Sequence, residues 1–211
     1  MKILICTDSF KHSMTALEAS TALAEGIASM GEDHEIDIVP LADGGEGTVR
    51  ALVDATRGRF IDCTVHGPLM KKRKARMGIL GDETTAVIEM AAASGIELIP
   101  QHESNPLFTT SYGTGELIGQ ALEQGCKKII LGIGGSATID GGAGLLAALG
   151  ARFYNKNHQP LLPTGEKLNE IHSVDTQNLD KRLGEVEIHI ASDVDNPLTG
   201  EQGAVYVYGP Q

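Results

Sequence analysis

Short apolar runs alternate with amphipathic helical segments in the N-terminal part of the chain, and few folds accommodate that order. Residues 2–6 and 35–40 have the apolar pattern of strands, whereas residues 15–30 repeat their apolar side chains at helical spacing. Thr15 and Glu18 form the sequence pattern of a capping box at the start of that helical segment. A second helix is expected to follow the second strand. This strand–helix–strand–helix order predicts a parallel sheet with helices on its faces.

The middle of the chain has a different pattern. Three short strands are predicted at 60–65, 75–80 and 84–90, and we expect them to be antiparallel because no helix-length segment separates them. Alternation then resumes, with predicted helices at 114–125 and 142–150 and predicted strands at 127–131, 186–192 and 204–209. The change in pattern predicts an α/β protein with two domains, a parallel-sheet domain over 1–62 and a second domain with a mixed sheet over 63–211.

Composition narrows the classes of partner. A formal charge of -11 repels nucleic-acid phosphates, and an aromatic content of 4% leaves few rings for stacking on bases. No segment approaches the roughly 20 apolar residues of a membrane span. Cys6, Cys63 and Cys126 lie far apart and are interpreted as small buried side chains in a reducing compartment. We therefore expect a cytoplasmic enzyme with no nucleic-acid or membrane partner. In so acidic a chain, the basic run 71–74 is expected to lie on a solvated turn or on an edge strand.

A polar cluster follows the first predicted strand, at the position where open α/β sheets bind ligands. Asp8 and Ser9 come directly after the strand, and Lys11 precedes the helix. A lysine beside a helix N-terminus attracts an anion, and Asp8 has the chemistry to hold Mg²⁺ or to accept a proton. An interpretation as turn and capping residues is equally good on spacing alone.

A second cluster follows the second predicted strand. Asp43 and Glu46 place two carboxylates close together, which suits Mg²⁺ because hard cations take oxygen ligands. The alternative is an acidic first turn of a helix, but Gly44 and Gly45 are not needed for a plain helix start. Thr48 completes the cluster in the first helical turn.

The segment 105–116 is a third cluster, in which hydroxyls such as that of Thr110 and several amides could meet phosphate oxygens. A turn-and-cap interpretation is slightly favoured for it. A further cluster follows the strand predicted at 186–192, where Asp193, Asp195 and Asn196 indicate either a substrate or metal contact or an Asx turn before a proline. The histidines are not paired at metal spacing, and no hydrolase triad is assigned.

The glycine-rich run 132–144 follows a predicted strand and loosely matches a dinucleotide-binding fingerprint. The acidic residue that such a site needs about 20 positions later is missing. A Walker-type phosphate loop is excluded because the chain contains no Gly-Lys pair. What remains is a glycine-lined anion site, whose candidate residues are Gly134, Gly135, Ser136, Ala137, Thr138 and Asp140.

Taken in order, six motifs resemble those of the bacterial glycerate kinase family: DSFKHSMTALEA, PLADGGEGT, IEMAAASGIELIP, TTSYGTGELI, GIGGSATIDGGAG and SDVDNPLTGEQGA. The resemblance extends from Lys2 to Gln211. It implies phosphorylation of D-glycerate that depends on ATP and Mg²⁺, with 2-phosphoglycerate as the favoured product. It also implies a flavodoxin-like (Rossmann-like) domain, incomplete here, that is interrupted near residue 62 by an inserted second α/β domain.

The resemblance also implies site residues. The family's Asp-Ser-x-Lys, Asp-Gly-Gly-Glu-Gly-Thr and Gly-Gly-Ser-Ala-Thr patterns fall on residues 8–11, 43–48 and 134–138. We expect Lys11, Asp43 and Asp193 to be catalytic, with Asp43, Glu46 and Asp193 as candidates for holding Mg²⁺ or for taking the proton from glycerate. Substrate or phosphate binding is expected at Asp8, Ser9, Gly44, Gly45, Glu46, Thr48, Thr110, Gly134, Gly135, Ser136, Ala137, Thr138, Asp140 and Asn196.

The chain departs from the family in three respects. Ile139 stands where the family usually has Asn, and Met70 stands where it usually has Gly. Family chains are nearly twice as long and carry a further Gly-Glu-Gly-Arg-x-Asp motif, so we expect a fragment of a longer enzyme or a truncated gene product. The alternatives are a fragment that binds glycerate or nucleotide without turnover, one that only self-associates, and a nicotinamide oxidoreductase. A homo-oligomer is a further option.

Overall fold

The chain forms three β-sheets with α-helices between their strands. The structure, a computed structural model, describes residues 1–8, 10, 13–31, 34–41, 47–192 and 194–210. Within those residues, no helix is long and apolar enough to cross a membrane. The predicted α/β class, with parallel pairing and a mixed sheet, is confirmed.

The N-terminal part is a two-stranded parallel sheet with two helices. Its elements are β1 (Lys2–Ile5), α1 (Ala16–Ala28), β2 (Glu35–Ile38) and α2 (Thr48–Thr56). β1 and β2 pair in parallel, as predicted from their order with α1. The predicted capping box is also confirmed, because the Glu18 amide donates to Thr15 Oγ1 at 3.3 Å and the Thr15 amide donates to Glu18 Oε2 at 2.8 Å.

The second sheet has five strands in the spatial order β10–β6–β5–β4–β3. Their bounds are β3 (Arg59–His66), β4 (Lys72–Ile79), β5 (Thr85–Glu89), β6 (Lys128–Gly132) and β10 (Glu187–Ala191). β4 is antiparallel to both β3 and β5, which confirms the pairing expected for the middle of the chain. β6 is parallel to β5 and β10, so the sheet is mixed.

Helices cover both faces of this five-stranded sheet. The helices that follow β5 are α3 (Ala91–Ser94), α4 (Tyr112–Glu123) and α5 (Ala143–Ala148). Ile88 packs in the main core with Leu117 of α4, whereas its neighbour Val87 packs with Val49 and Val53 of α2. Because successive strand residues point to opposite faces, α4 and α2 lie on opposite sides of the sheet. The contacts of α2 thus cross the boundary expected near residue 62, which stays a prediction.

A small third sheet lies in a region for which the sequence pattern predicted no elements. It consists of β7 (Arg152–Tyr154), β8 (Pro160–Leu161) and β9 (Ser173–Asp175), in the spatial order β8–β7–β9. Strands of two or three residues are too short to show a periodic pattern, which explains why they were missed.

The strand predicted at 204–209 is wrong, because these residues form the helix α6 (Ala204–Tyr208). The alternation of Val and Tyr indicated a strand, yet none of the helix residues is buried, so no core selects one face of a strand. The Tyr208 hydroxyl donates to Asn196 Oδ1 at 2.7 Å and ties the helix to the preceding loop. Local helical bonds satisfy the backbone without a partner strand.

The basic run 71–74 was expected on a turn or edge strand, but most of it lies in β4, an inner strand. β4 pairs with β5 only at Gly78 and Ile79, whereas it pairs with β3 along its whole length. The basic half of β4 therefore has a strand on one side only and is locally an edge, which keeps its side chains near solvent.

The cysteines divide into two groups. Cys63 and Cys126 are buried, as expected, and burial raises the pKa of both thiols because the thiolate is poorly solvated there. Cys6 is exposed directly after β1, so the expectation of burial is wrong for it.

Candidate functional site

Three parallel strands of the five-stranded sheet end at the same level. Gly132, the last residue of β6, is in register with Glu89 of β5 on one side and with Ala191 of β10 on the other. The segments that follow these strands therefore begin at one edge of the sheet, which is where open α/β sheets bind ligands. The fold thus brings the predicted glycine-rich run to the same edge as the segment 192–196.

The glycine loop, residues 133–142, is held from two sides by backbone bonds. The Ile96 amide donates to the Gly135 carbonyl at 2.9 Å, and the Ala137 amide donates to the Ser94 carbonyl at 2.9 Å. The hydroxyl of Thr109, which is fully buried, donates to the Ala137 carbonyl at 2.6 Å. These bonds fix the path of the loop before any ligand is present.

The central amides of the glycine loop are available for an anion. Within the described part of the chain, the amides of Gly134, Gly135 and Ser136 donate to no acceptor. Gly135 has a φ of 69°, a conformation that favours glycine. The exposed Ser136 hydroxyl accepts a hydrogen bond from the Thr138 amide at 3.0 Å. Successive amides of this kind form concave sites for anions.

Asp140 lies at the end of the loop and is only 1% exposed. Its Oδ2 accepts hydrogen bonds from the Ser111 amide at 2.7 Å, the Ser111 hydroxyl at 2.9 Å, the Thr110 hydroxyl at 3.2 Å and the Gly144 amide at 3.2 Å. Its Oδ1 accepts from the Gly142 amide at 3.1 Å. The carboxylate thereby joins the start of α4 to the start of α5. Sequence analysis placed Asp140 and Thr110 among the residues expected to bind substrate or phosphate, and in the structure both side chains are buried.

Gly144 is required by this buried carboxylate. A Cβ at position 144 would lie 2.6 Å from Asp140 Oδ2 and would overlap the Thr110 hydroxyl. The third glycine after Asp140 therefore serves close packing rather than ligand contact.

Sequence analysis assigned no role to Glu89, the last residue of β5. Glu89 Oε1 accepts a hydrogen bond from the Val49 amide at 2.8 Å, so it caps the N-terminus of α2. A carboxylate is favourable there because of the helix dipole. The signal in the sequence was an acidic residue directly after the apolar run Ala86–Ile88. The contact ties the sheet edge to the helix that begins with the buried Thr48.

The remaining described candidates lie at separate places. Asp8 follows β1 and is exposed. The Asn196 side chain donates to the Gln202 carbonyl at 3.1 Å and accepts from Tyr208, so it braces its own loop. The other candidates lie outside the described residues, and their roles stay predictions: Ser9, Lys11, Asp43, Gly44, Gly45, Glu46 and Asp193.

The described residues contain no group of three or more His, Cys, Asp or Glu side chains that could hold a metal ion. The carboxylates that sequence analysis proposed for Mg²⁺, those of Asp43, Glu46 and Asp193, fall in the part that the structure does not describe.

The fold and the loop together define an α/β protein with a free-amide loop at the carboxyl edge of its parallel strands. The sequence model of the glycerate kinase family matches residues 3–211, and the chain belongs to that family. The predicted resemblance is confirmed.

Individual relatives are similar along the whole chain. Glycerate kinase from Bacillus subtilis (strain 168) is 53% identical over 211 residues, which are 100% of this chain and 55% of that protein. Glycerate 2-kinase from Escherichia coli (strain K12) is 50% identical over 100% of this chain and 55% of its own length. A crystal structure from Salmonella typhimurium LT2, assigned there as a glycerate kinase 2, has a TM-score of 0.93 at 50% identity and is covered over 56% of its chain. This chain thus spans about half the length of the relatives it matches.

Proposed function

We propose that the protein is a glycerate kinase, which transfers a phosphoryl group from ATP to a hydroxyl of D-glycerate, with 2-phosphoglycerate as the favoured product. Membership of the family supports this, as do relatives at 50% identity or more that are named glycerate kinase and glycerate 2-kinase. The structural observation that carries the proposal is the run of free amides at Gly134–Ser136, at the edge where three parallel strands end.

The proposed chemistry relies on positioning and on neutralising charge, because phosphoryl transfer needs little covalent help from the protein. The amides of Gly134, Gly135 and Ser136 donate to phosphate or carboxylate oxygens, and Lys11 adds a positive charge. Asp140 and Thr110 act as positioning residues, since their buried hydrogen bonds hold the C-terminal end of the glycine loop.

Mg²⁺, when bound, supplies further neutralisation of phosphate charge. Asp43, Glu46 and Asp193 are the residues that would hold it, and one of them would take the proton from the glycerate hydroxyl. A location in the cytoplasm stays a prediction.

The test is an alanine series at Lys11, Asp43 and Asp193, assayed by ADP release coupled to NADH oxidation. The series is made in this chain and, at the aligned positions, in the Bacillus subtilis relative. Each substitution is expected to lower kcat/KM by more than about tenfold, or about 1.4 kcal/mol. Lys74→Ala is the matched control, because Lys74 lies on β4 and donates only to Thr64. Losses below tenfold for all three substitutions in both proteins would sink the assignment.

A fragment that binds ligands without turnover is the second candidate, favoured by the 55% coverage of the relatives. Calorimetry with D-glycerate and with ATP separates it from a kinase, because binding would then occur without ADP release. A nicotinamide oxidoreductase would bind NADH, so calorimetry with NADH tests that alternative.

A further inference from the structure

A cavity of about 150 Å³ lies between the turn joining β3 to β4 and the segment 98–103. Its wall carries three consecutive cations, Lys71, Lys72 and Arg73, and one carboxylate, that of Glu103. None of these residues belongs to the glycine loop, so the cavity is distinct from that loop.

The cations around this cavity have few partners. Within the described residues, the side chains of Lys72 and Arg73 donate to no acceptor, and Arg73 Nε is buried. Lys71 Nζ lies 3.9 Å from Glu103 Oε2, at the outer limit of an ion pair. Arg73 and Lys71 thus lie beside a single, weakly held carboxylate.

The next two cations along β4, Lys74 and Arg76, are paired with side chains of β3. Lys74 Nζ donates to Thr64 Oγ1 at 3.0 Å, and Arg76 Nε donates to Asp62 Oδ1 at 2.7 Å. The strand can thus satisfy its basic side chains across the sheet, and it does so except at the cavity.

Arg73 provides the strongest evidence for a ligand in this cavity. It has the same strand parity as Ala75 and Met77, which are buried in the main core, so its side chain starts on the inner face of β4. A buried donor without an acceptor is costly, and native structures rarely keep one without a reason such as an unseen ligand.

The charge around the cavity defines the ligand. Arg73 and Lys71 outnumber the one carboxylate beside them, in a chain whose net charge is -11, whereas Lys72 starts on the opposite face of β4. An anion balances that positive excess. The planar guanidinium of arginine matches phosphate oxygens with two parallel hydrogen bonds, one of which uses Nε.

We propose that this cavity is a binding site for a phosphate anion, taken either as free phosphate or as a small phosphomonoester. Arg73 Nε donates to one phosphate oxygen, and Lys71 supplies further positive charge. The site does not depend on the proposed kinase activity.

The experiment is an NMR titration of the ¹⁵N-labelled chain with sodium phosphate, at constant ionic strength maintained with chloride. The Arg73 Nε–H signal and the Gly67 amide report on the cavity, whereas the Gly134 and Gly135 amides report on the glycine loop. A saturable shift of the Arg73 signal supports the proposal. Absence of that shift at the highest phosphate concentration of the titration overturns it.

Two further titrations identify the ligand. Glycerol phosphate tests the ester form, and whichever of it and free phosphate binds more tightly is the preferred source. Malonate tests a dicarboxylate of similar charge, and binding of malonate as tight as that of phosphate would overturn the phosphate assignment.

Variants test the role of the guanidinium. Arg73→Gln is expected to weaken phosphate binding at the cavity by at least about tenfold, because it removes a charge-assisted pair of bonds. Lys74→Gln, which removes the same charge one residue away, is expected to change binding by less than about twofold. Equal weakening by both variants would mean general charge attraction and would refute a built site. Arg73→Lys keeps the charge but removes the planar fork of guanidinium donors, so it replaces Arg73→Gln if that variant does not fold.

Discussion

At the scale of single residues, the carboxylate of Asp140 determines how the glycine loop is held. Five hydrogen bonds converge on a side chain that is 1% exposed, and two of its partners, Thr110 and Ser111, lie about thirty residues earlier in the chain. Sequence analysis identified Asp140 as a site residue, whereas its burial indicates a structural role, which is to hold the glycine loop. No local pattern could distinguish these roles, because the donors come from another element.

Asp140→Asn tests the structural role of the Asp140 carboxylate. The amide group would place N–H donors against donors already present, so we expect the free energy of unfolding to fall by about 2–4 kcal/mol. Urea denaturation measures it. Asp175→Asn is the control, since Asp175 Oδ1 accepts only from the Gln177 amide and a loss of about 1 kcal/mol or less is expected. Equal losses for the two variants would contradict the role of Asp140.

Met70 is a second single-residue feature, because it has a φ of 60° in the turn between β3 and β4. Residues with a Cβ are strained in that region and glycine is not, which agrees with the glycine expected there from the family resemblance. Met70→Gly is expected to raise the free energy of unfolding by about 0.5–1 kcal/mol. Thermal and urea denaturation measure it. Leu69→Gly, at a neighbour without positive φ, should lower stability, and stabilisation by both changes would refute the strain at Met70.

At the scale of elements, the contact between α2 and the five-stranded sheet joins the two parts of the chain. Gly78 of β4 allows this close approach, since a Cβ there would overlap Val53 Cγ2 and lie 3.2 Å from Val49 Cγ1. The helix itself was predictable from its apolar spacing. The position of α2 against the five-stranded sheet was not predictable, because a helical pattern indicates which face is buried but not which sheet covers that face.

Gly78→Ala tests the packing of α2 against the five-stranded sheet. We expect a loss of about 1–3 kcal/mol in the free energy of unfolding, because the added methyl group overpacks the contact with Val53. Val53→Ala in the same chain should recover part of that loss, so the double variant should be more stable than the sum of the single effects. Gly119→Ala is the control, since its Cβ would meet only Leu149 Cδ2 at 4.0 Å in a helix interior. Strictly additive effects would place α2 elsewhere.

At the scale of the whole molecule, β10 is the edge strand of the five-stranded sheet and presents Ile188 and Ile190 at 41% and 55% exposure. Within the described residues, only β6 pairs with it. An apolar edge with unpaired backbone groups favours pairing with another chain. This observation bears on the homo-oligomer and self-association options raised by the sequence.

Ile190→Lys tests association through this edge. The wild-type chain is expected to show a concentration-dependent increase in mass by light scattering, and the variant to remain monomeric because a lysine on an edge strand opposes pairing. Leu146→Lys, at an exposed apolar residue of α5, is the control and should leave association unchanged. A wild-type chain that is monomeric at all concentrations would rule out this edge as an interface.

Local patterns were sufficient for most of the elements and for the family. The apolar periods of β1, α1, β2 and β6 depend only on neighbours in sequence, as does the capping box of Thr15 and Glu18, and six ordered motifs identified the glycerate kinase family. The three-dimensional packing alone decided which polar groups are buried, such as Asp140, and that Glu89 caps α2 from 40 residues away. The physical reason is that burial and hydrogen-bond partners depend on contacts between distant segments, which the spacing of residues along one segment does not contain.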